Sequence, residues 1–250
     1  MTALVPWACR LSSALLLASV AEPSLAALNL NQYQKVVAVT LASEWFNPVA
    51  GQSVNLLPGL GNYYTKAGSN EVFNGGAFIG VDGWLNQKLE SRLGVGIYSN
   101  TPATMRGNVW LFEDPTINFL GYSYRTSSTR YLVEGKLLVK YAERILPYFG
   151  YGLGAATNHL TRYQESVPVA MSTFIAPAPF QTNNTTSFSY DLAAGIEYAV
   201  HKHGRVSIAY QYNSMGKAEL KPSRTQATSQ ALSIANLQSN QLRVQLSYIT

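Results

Sequence analysis

Cysteine is nearly missing from this 250-residue chain: Cys9 is the only one, and it precedes an apolar stretch that reads as a leader. Behind that leader there is nothing to form a disulfide or a thiolate metal site. Histidine is scarce too, with His159, His201 and His203 as the full set. Charged residues make up 12% of the chain, against about 25% in an ordinary soluble domain. Apart from the leader, no apolar run approaches the roughly 18 residues that mark a membrane-crossing helix. The net charge of +5 is scattered, so no basic run marks a nucleic-acid surface.

The first residues do carry a pattern. Arg10 is followed by the apolar core Ser13 to Ala21 and then by Ser24, Leu25 and Ala26, a small-x-small cleavage site. Residues 1–26 are therefore expected to be a cleaved signal peptide, and residues 27–250 the exported domain. Cys9 lies ahead of the apolar core rather than at the cleavage site, which argues against lipidation.

The exported part has many tyrosines, 16 in the whole chain, and strict apolar–polar alternation. Phe188, Tyr190, Leu192, Ala194, Ile196 and Tyr198 share one face of a strand, while Ser189, Asp191, Gly195 and Glu197 share the other. Eight such segments are predicted: Val36–Phe46, Val72–Leu85, a third from Leu89, a fourth ending at Tyr141, Pro147–Ala156, Phe188–Tyr198, Arg205–Tyr212 and Gln241–Tyr248. Short turns near 86–88, 142–146 and 201–204 alternate with long connections at about 47–71, 99–128, 157–186 and 213–238. Within the second of these, 106–113 and 116–124 read as strand extensions. Short–long alternation with both termini on the short side is the rhythm of an eight-stranded, antiparallel, up-and-down transmembrane β-barrel. A soluble barrel binding a hydrophobic ligand is the alternative, with the two faces exchanged.

The polar face decides between them. Glu44, Asp82, Glu90, Arg92, Arg130, Glu134, Lys136, Lys140, Asp191, Glu197 and Arg243 all have the parity opposite to the greasy set. So many charges would wreck a soluble core, yet they can pair inside a narrow lumen. Glu44, Arg92, Glu134, Lys136, Asp191 and Arg243 are expected to form a polar network there. Gly94, Gly96, Gly150, Gly152 and Gly154 make room for large neighbours. On the greasy face Trp45, Tyr141, Tyr198 and Tyr248 fall near strand ends, where aromatic girdles sit at membrane interfaces. Trp84 is inward by strict alternation, unless a bulge at Gly83 resets it.

The stretch PYFGYGLGA at 147–155 resembles a strand of the OmpA-like and opacity-type outer-membrane proteins. AGIEY at 194–198 and IAYQY at 208–212, followed by Gly216, resemble later strands of that family. The resemblance implies a porin-family or surface-antigen barrel in the outer membrane of a Gram-negative bacterium. Its partners would be outer-membrane lipid and lipopolysaccharide, the barrel insertion machinery and a host-surface or matrix ligand reached by the loops. Such chains often end in an aromatic residue, whereas this one ends Tyr248, Ile249, Thr250. No cell-wall-binding domain is expected after the eighth strand.

Chemistry is thinly marked. His201 and His203 lie on a turn without a clear third ligand, and His159 lies near Arg162 and Glu165 without a nucleophile at catalytic spacing. The reading is therefore no catalytic site, no metal and no cofactor. The expected role is structural or surface-interacting, adhesin-like or antigen-like, and carried by the extracellular loops. The alternatives are a narrow solute channel and a lipid-modifying enzyme. One connection, Val167 to Phe180, is unusually apolar, suited to contact with a surface or to folding back over the barrel mouth.

Overall fold

The computed structural model describes residues 33–57, 60–118, 120–166, 179–224 and 230–250. The expected signal peptide lies outside the described residues, as does the apolar connection up to residue 178. The strands in chain order are β1 (Gln34–Phe46), β2 (Gln52–Leu57), β3 (Leu60–Tyr64), β4 (Gly68–Ser69), β5 (Val72–Trp84), β6 (Leu89–Asn100), β7 (Ala103–Trp110) and β8 (Leu120–Val139). They continue with β9 (Ile145–Ser166), β10 (Phe180–Gln181), β11 (Asn183–Ala199), β12 (Gly204–Ser214), β13 (Ala218–Pro222), β14 (Leu232–Ile234) and β15 (Gln238–Ile249).

Eight of these form a ring. β1 pairs with β5, β5 with β6, β6 with β8, and β8 with β9. The series runs on from β9 to β11, β12, β15 and back to β1, all antiparallel. All eight expected strands are present, and the short turns fall where the sequence puts them. At the first of these, Asn86 Oδ1 accepts the N–H groups of Lys88 at 2.9 Å and Leu89 at 2.8 Å, which fixes the hairpin.

Alternation explains the exposure. On β1, Val37, Val39 and Leu41 face outward, and Leu41 leaves 70% of its surface uncovered. Their inward neighbours Ala38, Thr40 and Glu44 are buried. The same holds for Val95, Ile97, Val133, Leu153, Ile208 and Val244 on the other strands. The outer face is thus a continuous apolar belt, as a hydrocarbon solvent requires.

Strands β8 and β9 are 20 and 22 residues long, about twice the 9–11 residues that cross a bilayer. Their upper halves project beyond it. β7 prolongs β6 alongside β8, after an interruption at Thr101 and Pro102. β4 in turn pairs with β7, so the wall continues upward. The expected extension at 106–113 is strand only to Trp110 and then a 3-10 turn, Leu111–Glu113; β8 starts at Leu120. In β9, Arg162 is an extra residue between Thr161, opposite Arg125, and Gln164, opposite Ser123. Its φ of 53° makes it a bulge.

The pairing Gly83–Ser91, Trp84–Glu90 runs without a shift, so no bulge resets Trp84. It keeps inward parity at the last position of β5, where the ring of strands ends, and is 50% exposed. Lys140, expected to face inward, lies one residue past the end of β8 and is exposed. Parity has no meaning for a side chain beyond the ladder. Its Nζ lies 5.9 Å from the centre of the Trp84 ring.

Close backbone approach explains the inward Gly94 and Gly154. A Cβ on Gly94 would lie 2.2 Å from the Ile79 carbonyl oxygen, 2.6 Å from Gly80 Cα and 2.6 Å from the Phe78 ring. Gly68 has open space around it. Replacing Gly94 with Val should therefore lower stability by about 1–3 kcal/mol through overpacking, while Gly68→Ala should stay within about 0.5 kcal/mol of the parent. Urea unfolding of vesicle-reconstituted protein, followed by tryptophan fluorescence, checks this; equal midpoints for the two variants would refute the close approach.

Candidate functional site

Different chemistry packs the two ends of the lumen. At the periplasmic end two hairpins on opposite sides of the ring aim ions at one point. β5 and β6 supply Asp82, Glu90 and Arg92; β11 and β12 supply Glu197 and Arg205. Arg92 lies 2.9 Å from Asp82 and 2.8 Å from Glu197. Arg205 lies 2.5 Å from Glu90 and 3.3 Å from Glu197. Arg205 is 12% exposed and the other four almost wholly buried. Bidentate contact between Arg92 and Glu197 holds the planes of the two groups together.

Higher in the lumen the bonds are mostly ion-to-neutral. The hydroxyl of Tyr98 donates to Glu134 at 3.0 Å, Lys136 donates to Gln245, and Arg130 donates to Asn213. Lys136 Nζ also lies 4.7 Å from the Tyr148 ring centre, and Arg130 lies 5.6 Å from that of Tyr98. Asp191 and Arg243 are electrostatic neighbours of Glu134 in this layer. Glu44 stands apart, accepting from Asn74 at 2.7 Å and from Ser239.

Of the six residues expected in one network, then, the structure groups Glu134, Lys136, Asp191 and Arg243. It gives Arg92 different partners and leaves Glu44 with Asn74 and Ser239. Arg205 went unrecognised in the sequence reading, although its parity with Ser207, Ala209 and Gln211 marks it as inward.

Above the charged layers lies a seam of small amides and hydroxyls. Ser128 donates to Asn158 at 2.8 Å, and Asn158 donates to the carbonyls of Met215 at 2.8 Å and Lys217 at 2.9 Å. Beyond the seam the inward side chains become apolar. Val54, Tyr64, Val109, Tyr122, Tyr124, Leu160, Tyr163, Phe180, Leu220, Leu232 and Leu237 belong to one buried cluster. The rings of Tyr163 and Phe180 meet edge to face at 5.1 Å, and those of Tyr64 and Phe180 at 5.6 Å. Phe180, the end of the apolar connection, is therefore folded into this dome. Burial pushes the Tyr122 phenol up to about 12 and the Tyr64 and Tyr124 phenols higher still. Burial also raises the Glu165 carboxyl, partly opposed by the hydrogen bond that Tyr163 donates to it at 2.6 Å.

On the outer face Trp45 lies at the upper end of β1, its ring 6.3 Å from that of Tyr210. Tyr198 and Tyr248 lie at the lower ends of β11 and β15, and Tyr141 in the turn after β8 is 81% exposed. His159 faces outward on β9, with its Nδ1 2.8 Å from Asn184 Oδ1. His203 Nδ1 is 2.7 Å from the Ile249 carbonyl, and its ring centre is 6.2 Å from that of His201. Among the described residues no three His, Cys, Asp or Glu side chains are grouped to hold a metal.

Removing Arg92 would leave Asp82 and Glu197 buried with Arg205 as their one remaining ion-pair partner among the described residues. Arg92→Leu should cost about 3–5 kcal/mol, the usual penalty for orphaning a buried charge. The double variant Arg92→Leu/Glu197→Leu should recover part of that loss. A double-mutant cycle from urea unfolding in lipid vesicles measures the coupling; additive losses would show that the two groups do not interact.

A family model described as "Outer membrane protein beta-barrel domain" matches residues 12–249. No curated protein matches the chain in sequence. Among solved structures, Neisserial surface protein A is similar at 13% identity and a TM-score of 0.43, covering 86% of this chain and 96% of that one. The attachment invasion locus protein Ail of Yersinia pestis is similar at 11% identity and a TM-score of 0.37, covering 88% and 99%. OprG of Pseudomonas aeruginosa is similar at 12% identity and a TM-score of 0.40, covering 87% and 95%. With the family model matching nearly its whole length and the strands closing into an eight-membered ring, the chain belongs to the outer-membrane protein β-barrel family and resides in the bacterial outer membrane.

Proposed function

We propose that this protein is a non-conducting, non-catalytic barrel that displays a rigid extracellular β-platform for surface contacts, in the manner of an adhesin or surface antigen. The observation that carries this reading is the double closure of the lumen. The Asp82–Arg92–Glu197–Arg205 cluster spans the periplasmic end, and the dome around Tyr64, Tyr122, Tyr163 and Phe180 fills the extracellular end. A solute path would have to break buried ion pairs at one end and expel a packed apolar core at the other. On this reading Glu44, Arg92, Glu134, Lys136, Asp191 and Arg243 brace the wall from inside. Trp45, Tyr141, Tyr198 and Tyr248 seat the barrel at the two interfaces. The host ligand is contacted by the connections between β1 and β5 and between β12 and β15.

Eight strands leave an interior that side chains alone can fill, which agrees with closure. The surroundings of the histidines favour a non-catalytic role: His159 is engaged by Asn184 on the outer wall, and His203 by the backbone of Ile249.

Planar-bilayer recording of the purified barrel should give no unitary currents, and stable single-channel steps would overturn the closed-lumen reading. Displayed on a non-adherent Gram-negative host, the barrel should bind cultured epithelial cells or extracellular matrix. Exchanging residues 47–71 or 213–238 for a short unrelated loop should reduce that binding to background. Binding indifferent to both exchanges would reject the loop-borne contact.

A further inference from the structure

We infer that the outer edge of β14 is where a partner protein adds a strand: an extended, uncharged peptide segment that takes the place of the Gln52 side chain. It rests on the surface-contact reading and names what the β1–β5 and β12–β15 connections bind.

Two sheets end in these connections. The larger one terminates in β2, and the small sheet of β10, β13 and β14 terminates in β14. Pairing with β13 sets Leu220 opposite Leu232, Glu219 opposite Ser233 and Ala218 opposite Ile234. A terminal strand keeps one row of N–H and C=O groups that its own sheet does not use. Natural edges are commonly blunted by charge or proline, yet Leu232, Ser233 and Ile234 supply neither.

A side-chain amide meets that row instead. Gln52 Nε2 donates to the Ala231 carbonyl at 3.1 Å, and Gln52 Oε1 accepts the Ser233 N–H at 2.8 Å. Donating to one residue and accepting from the second residue beyond it is what a residue of a parallel strand does along its neighbour. Gln52 thus acts as a single peptide unit laid against β14. The edge of β2 is met in a related way, with Gln230 Oε1 accepting the Asn55 N–H at 2.7 Å.

Beside this contact lies a hollow of about 420 Å³, lined by Val49, Ala50, Gly51, Ile234, Ala235 and Asn236, among others. Amides and small apolar side chains make its walls, and among the described residues none that lines it is charged. Pro48, Ala50, Ala235 and Asn236 are exposed, so the hollow opens to water. An added strand lies about 4.8 Å from its neighbour, and Ala50, Gly51 and Ala235 have little side chain to obstruct it.

These features define the occupant. Strand addition needs an extended chain with its own N–H and C=O groups. A charged side chain in the hollow would lose hydration without gaining a counter-ion. Leu232 and Ile234 are buried and Ser233 is half-buried between them, so an added strand follows the same alternation of apolar and hydroxyl side chains. Exchanging one amide for another conserves the bonds at β14 while Gln52 returns to water. Each further residue of the strand adds bonds that one side chain cannot make.

Fluorescence anisotropy of a labelled, end-blocked octapeptide alternating Val and Ser, titrated with the purified barrel in detergent micelles, tests this. Heat-modifiable gel migration confirms the fold of each variant. The parent should bind the peptide. Gln52→Ala, which removes the competing amide, should tighten binding roughly tenfold, the worth of about one net hydrogen bond. Ser233→Pro deletes the N–H that bonds Gln52 rather than β13, and should abolish binding. The same peptide N-methylated throughout, or carrying Lys in place of Val, should not bind. Binding that neither variant changes, or equal binding of the N-methylated or Lys peptide, would overturn the proposal. So would failure of both the parent and Gln52→Ala to bind. Dimerisation of Gln52→Ala without peptide, abolished by adding Ser233→Pro, would also overturn it by giving the edge to a second copy of this chain. A negative result with purified barrel and synthetic peptide counts against the edge alone, whereas binding to cells judges the surface-contact role separately.

Discussion

In hydrocarbon no water is available to satisfy a backbone N–H or C=O, and the whole molecule is arranged around that constraint. A strand exposed at a sheet edge would leave a row of unmet donors and acceptors, each costing several kcal/mol. The pairing of β1 with β15 removes the last edge, running from Val36 opposite Ile249 to Phe46 opposite Ser239. Once the ring is closed by hydrogen bonds, side chains are relieved of holding the span together by hydrophobic burial. That is why the outward residues can be as greasy as Leu41 or Ile97, and the inward ones as polar as Arg92 or Glu134.

Closure transfers the problem to the lumen. An eight-stranded ring is too narrow to leave its inner charges in bulk water, so each needs a partner. The two ends of the solution differ in kind. At the periplasmic end, where the hairpins are short and rigid, guanidinium–carboxylate pairs meet across the ring. Placing Arg92 and Glu197 on opposite hairpins makes their contact a brace across the diameter rather than along one strand. At the extracellular end, where strands outrun the membrane, the surroundings are aqueous again, and an ordinary apolar core forms around Tyr122, Tyr163 and Phe180.

Much of the barrel was legible because alternation needs no tertiary knowledge. The eight segments, their faces and the three short turns follow from period-two patterning and turn residues. The failures have physical sources. Lys140 was assigned by parity, which stops applying where the ladder stops. Arg92 was correctly read as inward, but its partners depend on which hairpins lie opposite each other, a property of the ring order and not of any one segment. The long connections read as loops because they are rich in Asn, Ser, Thr, Gly and Pro. Yet β2 and β3 form a hairpin there, and β10, β13 and β14 pair as a small separate sheet. Their ladders are short and dictated by neighbours, so composition carries little trace of them.

The meaning of a side chain in this protein depends on its height as much as on its parity. Along β8 the inward positions run Leu138, Lys136, Glu134, Leu132, Arg130, Ser128, Thr126, Tyr124 and Tyr122, from charged through small and polar to aromatic. The outward positions run the other way, from Val139, Leu137 and Val133 through Tyr131 to Thr129, Ser127 and Arg125. The two series exchange character at nearly the same level, around Arg130 and Thr129. One strand thus records the boundary between hydrocarbon and water twice, once on each face. The inward exchange marks where packing can take over from ion pairing. The outward exchange marks where the wall stops meeting acyl chains and starts meeting headgroups. β8 and β9 run unbroken through that level, so hydrogen-bonded backbone joins the extracellular platform to the braced lumen.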